Sequence, residues 1–160
     1  MSNTTKERDR ILRSFITAKT WDKNPEFRIK RAFVARQGTD AASPFERDFH
    51  TRFPYLYDDE WEVVPGRMNE GRGDLLFASA DSGLPDFAVL EIKFIDFARC
   101  GSTARAARTN ARGKVVDQAR DYAMKASLRH PGATVTAFAL TNESVSEVCA
   151  YVRGVEVSAR

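Results

Sequence analysis

Apolar positions change period along the chain, and the changes mark its elements. Ile11, Leu12, Phe15 and Ile16 recur at helical spacing, which predicts a helix over roughly 7–19. The run from Phe27 to Val34, between Pro25 and the Gly38-Thr39-Asp40 stop, suits either a strand or a helix. Ser43-Pro44 reads as N-cap and first helical position, with Glu46 completing a capping box; Phe45, Phe49 and Phe53 form the apolar face, and Pro54 ends the helix before the exit Tyr55-Leu56-Tyr57. From Glu60 the period becomes two. Three strands are expected: Trp61 to Val64, residues 74–80 and residues 87–95, with 81–86 as the turn of a hairpin between the last two. A helix from about Lys114 to Leu128 follows, ended by Pro131-Gly132, then a strand over 134–141 and a last one over 148–157, bent at Gly154. No internal repeat or linker divides the chain, so residues 1–160 read as one α/β domain.

Composition narrows the function classes. At 160 residues with 42% hydrophobic residues, the chain can build a core without a disulfide or a structural metal. Its two cysteines, Cys100 and Cys149, lack the spacing of a zinc or iron–sulfur site and fit a reducing compartment. No apolar leader and no stretch near 18 apolar residues is present, so the expectation is an intracellular protein, cytoplasmic or nuclear, with no membrane partner. Charge is segregated. Residues 1–40 carry ten Lys or Arg against five acids, residues 41–98 five against twelve, and residues 99–160 ten against five. An acidic centre between basic flanks is what a site for cations surrounded by a polyanion looks like, although solvated helix faces of different charge give the same counts.

The acidic centre contains an unusual strand. Glu91 and Lys93 share one face of a segment otherwise made of Phe87, Val89, Leu90, Ile92, Phe94 and Ile95. Burying such a pair costs several kcal/mol per ion unless something compensates it. If the hairpin turns at Gly83-Leu84, Asp74 lands opposite Lys93, and all three charges face one cleft. Two carboxylates and an ammonium are the parts that metal-assisted phosphodiester hydrolysis needs. Asp74 and Glu91 would ligate Mg²⁺, with the Ile92 carbonyl as a third ligand, and Lys93 would hold or deprotonate the attacking water.

These residues resemble the PD-(D/E)xK nuclease superfamily. Asp74 matches the family's strand aspartate, Glu91-Ile92-Lys93 its (D/E)xK tripeptide, and Gln118 to Tyr122 the QxxxY of its exonuclease-like branch. The resemblance covers residues 43–141 and implies a restriction-endonuclease-like core, with a helix, a three-stranded antiparallel meander, a helix and a strand; residues 1–42 would be a basic N-terminal extension on or beside it. It further implies that Glu46 reaches the metal and that Mg²⁺ is the cofactor with Mn²⁺ able to substitute; His50, one helical turn after Glu46, is a candidate to stand behind the metal ligands or to touch substrate. Gly73 stands where the family has proline, while Pro85-Asp86 lies too close to Glu91 to serve and reads as turn. Residues 99–131 hold eight Lys or Arg against two acids, so Arg99, Arg105, Arg108, Arg112, Lys114 and Arg120 are the candidate phosphate contacts, with 101–113 expected to be mobile until nucleic acid arrives. Trp21, Trp61, Tyr55 and Tyr57 are candidate base-stacking residues. The implied activity is Mg²⁺-dependent DNA hydrolysis directed by ends or structure rather than by sequence, with DNA favoured over RNA and a homodimer or larger complex compatible with it. Two alternatives stand beside it: a catalytically silent nucleic-acid-binding or protein-interaction module, and a dimeric junction resolvase.

Overall fold

The structure is a computed structural model that describes residues 24–35, 44–67, 71–143, 145–152 and 155–158. The expected helix at 7–19, Trp21, the stop at 38–40, Ser43 and Gly154 lie outside the described residues. Among the described residues three helices, α1 (Pro25–Ala35), α2 (Pro44–Arg52) and α3 (Ser102–Arg129), accompany six strands, β1 (Tyr55–Glu62), β2 (Arg72–Ala78), β3 (Phe87–Lys93), β4 (Thr134–Thr141), β5 (Val145–Val152) and β6 (Val155–Ser158). The strands form one mixed sheet in chain order. Among the described residues only β3 and β4 pair in parallel, with α3 as the crossover between them, so the fold is α/β. No helix among the described residues is long and apolar enough to cross a membrane.

Local chemistry explains the helix starts and stops. Asn24 accepts the backbone N–H groups of Glu26 and Phe27 through Oδ1, at 3.0 and 3.2 Å, while Pro25 fills the first helical position of α1. This resolves the 27–34 run as helix. The start of α2 at Pro44 and its end just before Pro54 follow the sequence reading.

Several boundaries differ from the expectation. The first strand is Tyr55–Glu62 rather than Trp61–Val64, because the acids at 58–60 hide its alternation. It lies at the edge of the sheet, where charges are tolerated that a central strand would not accept. A bulge between Leu56 and Asp58 further breaks its period. The second and third strands end two residues earlier than expected, at Ala78 and Lys93. The 148–157 segment is two strands, β5 and β6, paired as a hairpin. The largest correction is α3, which begins at Ser102 and not near Lys114, since Ala and Arg are strong helix formers and Gly113 costs only about 1 kcal/mol.

Alternation sends the two sides of the sheet to two cores. Leu75, Phe77, Ala88, Leu90 and Ile92 face α1 and α2, where Phe49 meets Phe33, Phe77 and Phe138 edge-on at centroid distances of 5.1, 5.1 and 4.8 Å. Leu76, Ala78, Phe87 and Val89 face Ala119, Tyr122, Ala123 and Ala126 of α3, whose small residues let the helix lie close to the sheet. By the same alternation Glu91 and Lys93 continue the row of Phe87 and Val89.

Two measurements check this packing. Phe49→Ala should cost about 3–5 kcal/mol in a denaturant titration, because four aromatic partners surround the lost ring. His130, stacked 4.2 Å from the Phe87 ring, has its pKa lowered by burial and then by the neighbouring Arg129 charge. The folded state therefore resists its protonation, so stability should fall as pH drops below the ordinary histidine value of 6.5, and His130→Asn should flatten that slope in melting curves from about pH 7.5 to 5.

Candidate active site

The ladder between β2 and β3 runs from Ala78↔Phe87 to Leu75↔Leu90. The hairpin closes on Ser79 and Asp86, where the Ser79 backbone N–H donates to the Asp86 carbonyl at 2.9 Å, and this sets the register. One step beyond Leu75, it places Asp74 against Glu91 and not against Lys93 as the sequence suggested. The turn is centred one residue earlier than assumed, and a one-residue change at the turn moves the far pairing by two, which leaves the face unchanged.

At this step side chains replace the ladder. The Asp74 backbone N–H donates to Glu91 Oε1 at 3.3 Å, and the Ile92 N–H donates to Asp74 Oδ2 at 2.8 Å. Each carboxylate is thus held by the other's strand. Glu91 is 2% exposed, so ionising it here costs desolvation, and a second carboxylate bonded to the same strand pair adds to that cost. Lys93, the last residue of β3, places Nζ 3.3 Å from Glu26 Oε1 of α1, with both side chains partly exposed.

The glycines before Asp74 are needed for packing. A side chain at Gly73 would collide with the Trp61 indole. One at Gly71, which has φ +116°, would collide with the Tyr122 hydroxyl. Gln118 Nε2 lies 3.1 Å from that same hydroxyl, so the two residues of the QxxxY spacing are joined, and Tyr122 stands against the start of β2. Trp61 is 3% exposed and lies edge-on to Tyr122, so it is a core residue and no base-stacking platform. Tyr55 and Tyr57 pack against the core on the α3 side.

Glu46 does not join the carboxylates. It is buried on α2, 3.8 Å from His50 Nε2, and His50 packs on Phe33 at 4.6 Å. Among the described residues no three or more His, Cys, Asp or Glu side chains assemble where they could hold a metal ion. The expected set of Asp74, Glu91 and Glu46 is therefore reduced to the first two. Two carboxylates still fit Mg²⁺, which binds through one or two of them and keeps waters and phosphate oxygens for its remaining positions. Asp86 is a turn residue as read, its Oδ1 accepting the Thr134 N–H at 3.1 Å.

The basic residues divide. Arg112 forms a two-bond pair with Glu143, at 2.8 and 3.1 Å, and each raises the other's preference for charge: the bond lowers the Glu143 pKa and raises that of Arg112. Arg108 donates to the carbonyls of Asp96 and Arg99 and lies over the Phe97 ring. The side chains of Arg99, Arg105, Lys114 and Arg120 are exposed. Comparison of the chain with family models, curated proteins and solved structures finds no match.

Sequence reasoning missed Glu26, Glu143 and the roles of the two glycines. Only the Gly-x-Gly spacing immediately before Asp74 carried a signal, since glycine inside a strand marks a close approach. Gly73→Ala should lower the melting temperature and red-shift the tryptophan emission as Trp61 is pushed out, while Gly83→Ala, where nothing lies within 4 Å, should leave the emission unchanged.

Proposed function

We propose that this chain is a Mg²⁺-dependent deoxyribonuclease built on a restriction-endonuclease-like core. The observation that carries the reading is the reciprocal Asp74–Glu91 arrangement at the start of β2 and the end of β3, with Lys93 on the same strand face by alternation. Asp74 and Glu91 would hold the ion, with the Ile92 carbonyl beside them. Bound there, Mg²⁺ supplies a water of lowered pKa and neutralises charge developing on the phosphate.

The chain's own residues do the rest. The Asp74 and Ile92 N–H groups fix both carboxylates in place before substrate arrives, so little reorganisation is needed. Lys93 Nζ is held at the strand end by Glu26 of α1, 3.3 Å away, and in this reading would leave that partner to orient the attacking water or to stabilise the phosphate oxygens as charge builds. Tyr122, bonded to Gln118, packs against Gly71, three residues before Asp74. The helix, antiparallel meander, crossover helix and parallel strand follow the order of the PD-(D/E)xK core, which supports the same reading. DNA is the favoured substrate, with ends or structure rather than sequence directing the cut. A catalytically silent binding module and a dimeric junction resolvase are the competing readings.

Cleavage of labelled linear, circular and four-way-junction DNA in Mg²⁺ or Mn²⁺ tests it. The wild type should cut, and Asp74→Asn, Glu91→Gln and Lys93→Ala should each lower the rate by about 10²-fold or more, the loss typical of removing one electrostatic group from a site. Preference for the junction by a dimer would favour the resolvase. Absence of cleavage with either metal, together with DNA binding that the three substitutions leave unchanged, would favour the silent module.

A further inference from the structure

Helix α3 has two halves of different character. Its buried residues begin at Val115, and none of the side chains from 102 to 114 is buried. These thirteen residues span about 20 Å at roughly 1.5 Å per residue. They extend past the sheet: Arg112 reaches Glu143, beyond the end of β4, and Thr141 of β4 is level with Lys93. The overhang therefore projects from the sheet end that carries Asp74 and Glu91.

One side of the overhang, through Ala104, Ala107 and Ala111, lines a crevice against Phe94 and Asp96 of the preceding loop, and the rest faces outward. It holds Arg105, Arg108, Arg112 and Lys114 without one acid, and its other positions are Ala, Ser, Thr, Asn and Gly. The stretch stays helical as the continuation of the packed half of α3, which leaves its outward face basic and free of apolar burial. Arg108 and Arg112 brace it against the loop before it and against Glu143. Among the described residues, the side chains of Arg105 and Lys114 make no ion pair or hydrogen bond, so their charges are open to a partner.

We propose that this overhang docks in the major groove of B-form DNA, which makes double-helical DNA the substrate of the site described above. A helix clothed in Ala, Ser and Thr is about 10 Å across and enters a groove about 12 Å wide. Arg105 and Lys114 leave opposite sides of the helix, nine residues apart, and so reach the phosphates of both groove walls. The small side chains between them offer the bases little to read, so the docking is by shape and charge and not by sequence. A-form RNA has a major groove too narrow for a helix, and a single strand has no groove. The placement of the cut beside the overhang rests on the nuclease reading; the docking itself does not.

Binding in a chelating buffer, where no hydrolysis occurs, separates the two. Fluorescence anisotropy would compare one duplex DNA with its single strand and with duplex RNA of the same sequence. The wild type should prefer duplex DNA. Arg105→Gln with Lys114→Gln should weaken duplex binding roughly tenfold and reduce the slope of log K against log salt by about 2. Asn110→Pro, at an exposed position of the overhang, should abolish the duplex preference and lower the melting temperature while keeping a single cooperative transition and unchanged single-strand binding. Equal affinity for all three nucleic acids, or a duplex preference that survives Asn110→Pro, would overturn the proposal even if the chain proves to cleave DNA.

Discussion

Two carboxylates where a sheet would normally place backbone pairs are the constraint on which the candidate site depends. Asp74 and Glu91 each accept an N–H from the strand of the other, at 2.8 and 3.3 Å, and so stitch β2 to β3 past the last regular pair. The stitching fixes both groups, but it also confines two negative charges, one of them almost fully buried, to one volume. Backbone N–H groups offset part of that repulsion, and a bound cation would offset more. The surrounding structure is organised to keep this end of the sheet intact. Gly71 and Gly73 let Tyr122 and Trp61 close over the start of β2, and Glu26 on α1 holds Lys93 at the end of β3.

The long helix links this constraint to a substrate. Its C-terminal half is apolar on one side and packs through small residues on the sheet, bringing Tyr122 against Gly71. Its N-terminal half is basic, carries no buried side chain, and is anchored by arginines that bond to the 96–99 loop and to Glu143. One continuous element thus joins the face that positions the carboxylates to the surface whose charge suits a polyanion. Of the acids of the central segment, Asp74 and Glu91 stand at this sheet end, and the cations of the long helix stand beyond it.

Much of this was legible in the sequence because it depends on local chemistry. Pro44 and Pro54 bounded α2, and alternation from Phe87 onward identified β3 and put Glu91 and Lys93 on one face. The helix, meander, helix and strand order was likewise readable from period changes. The remainder depended on information that no local pattern holds. The Ser79–Asp86 bond shifted the hairpin so that Asp74 opposes Glu91 instead of Lys93. The acids of β1 masked an edge strand, and the helical state of residues 102–113 was hidden by Gly113 and by an absence of apolar spacing, although Ala and Arg propensity argued for it. Glu46 was read toward the metal from a resemblance, whereas it lies buried beside His50. Long-range pairs such as Glu26–Lys93 and Arg112–Glu143 had no sequence signal.

The most direct test of the central claim is the melting temperature of the protein measured against Mg²⁺ concentration, for the wild type and for Asp74→Asn. A cation that binds only the folded carboxylate pair stabilises the protein by RT ln(1 + [L]/Kd), so the wild-type transition should rise progressively with Mg²⁺. The amide oxygen that Asp74→Asn introduces can still accept the Ile92 N–H, so the variant should fold, lose the repulsion between the two acids and show no rise. A wild-type transition indifferent to Mg²⁺, or an equal rise in both proteins, would contradict the account.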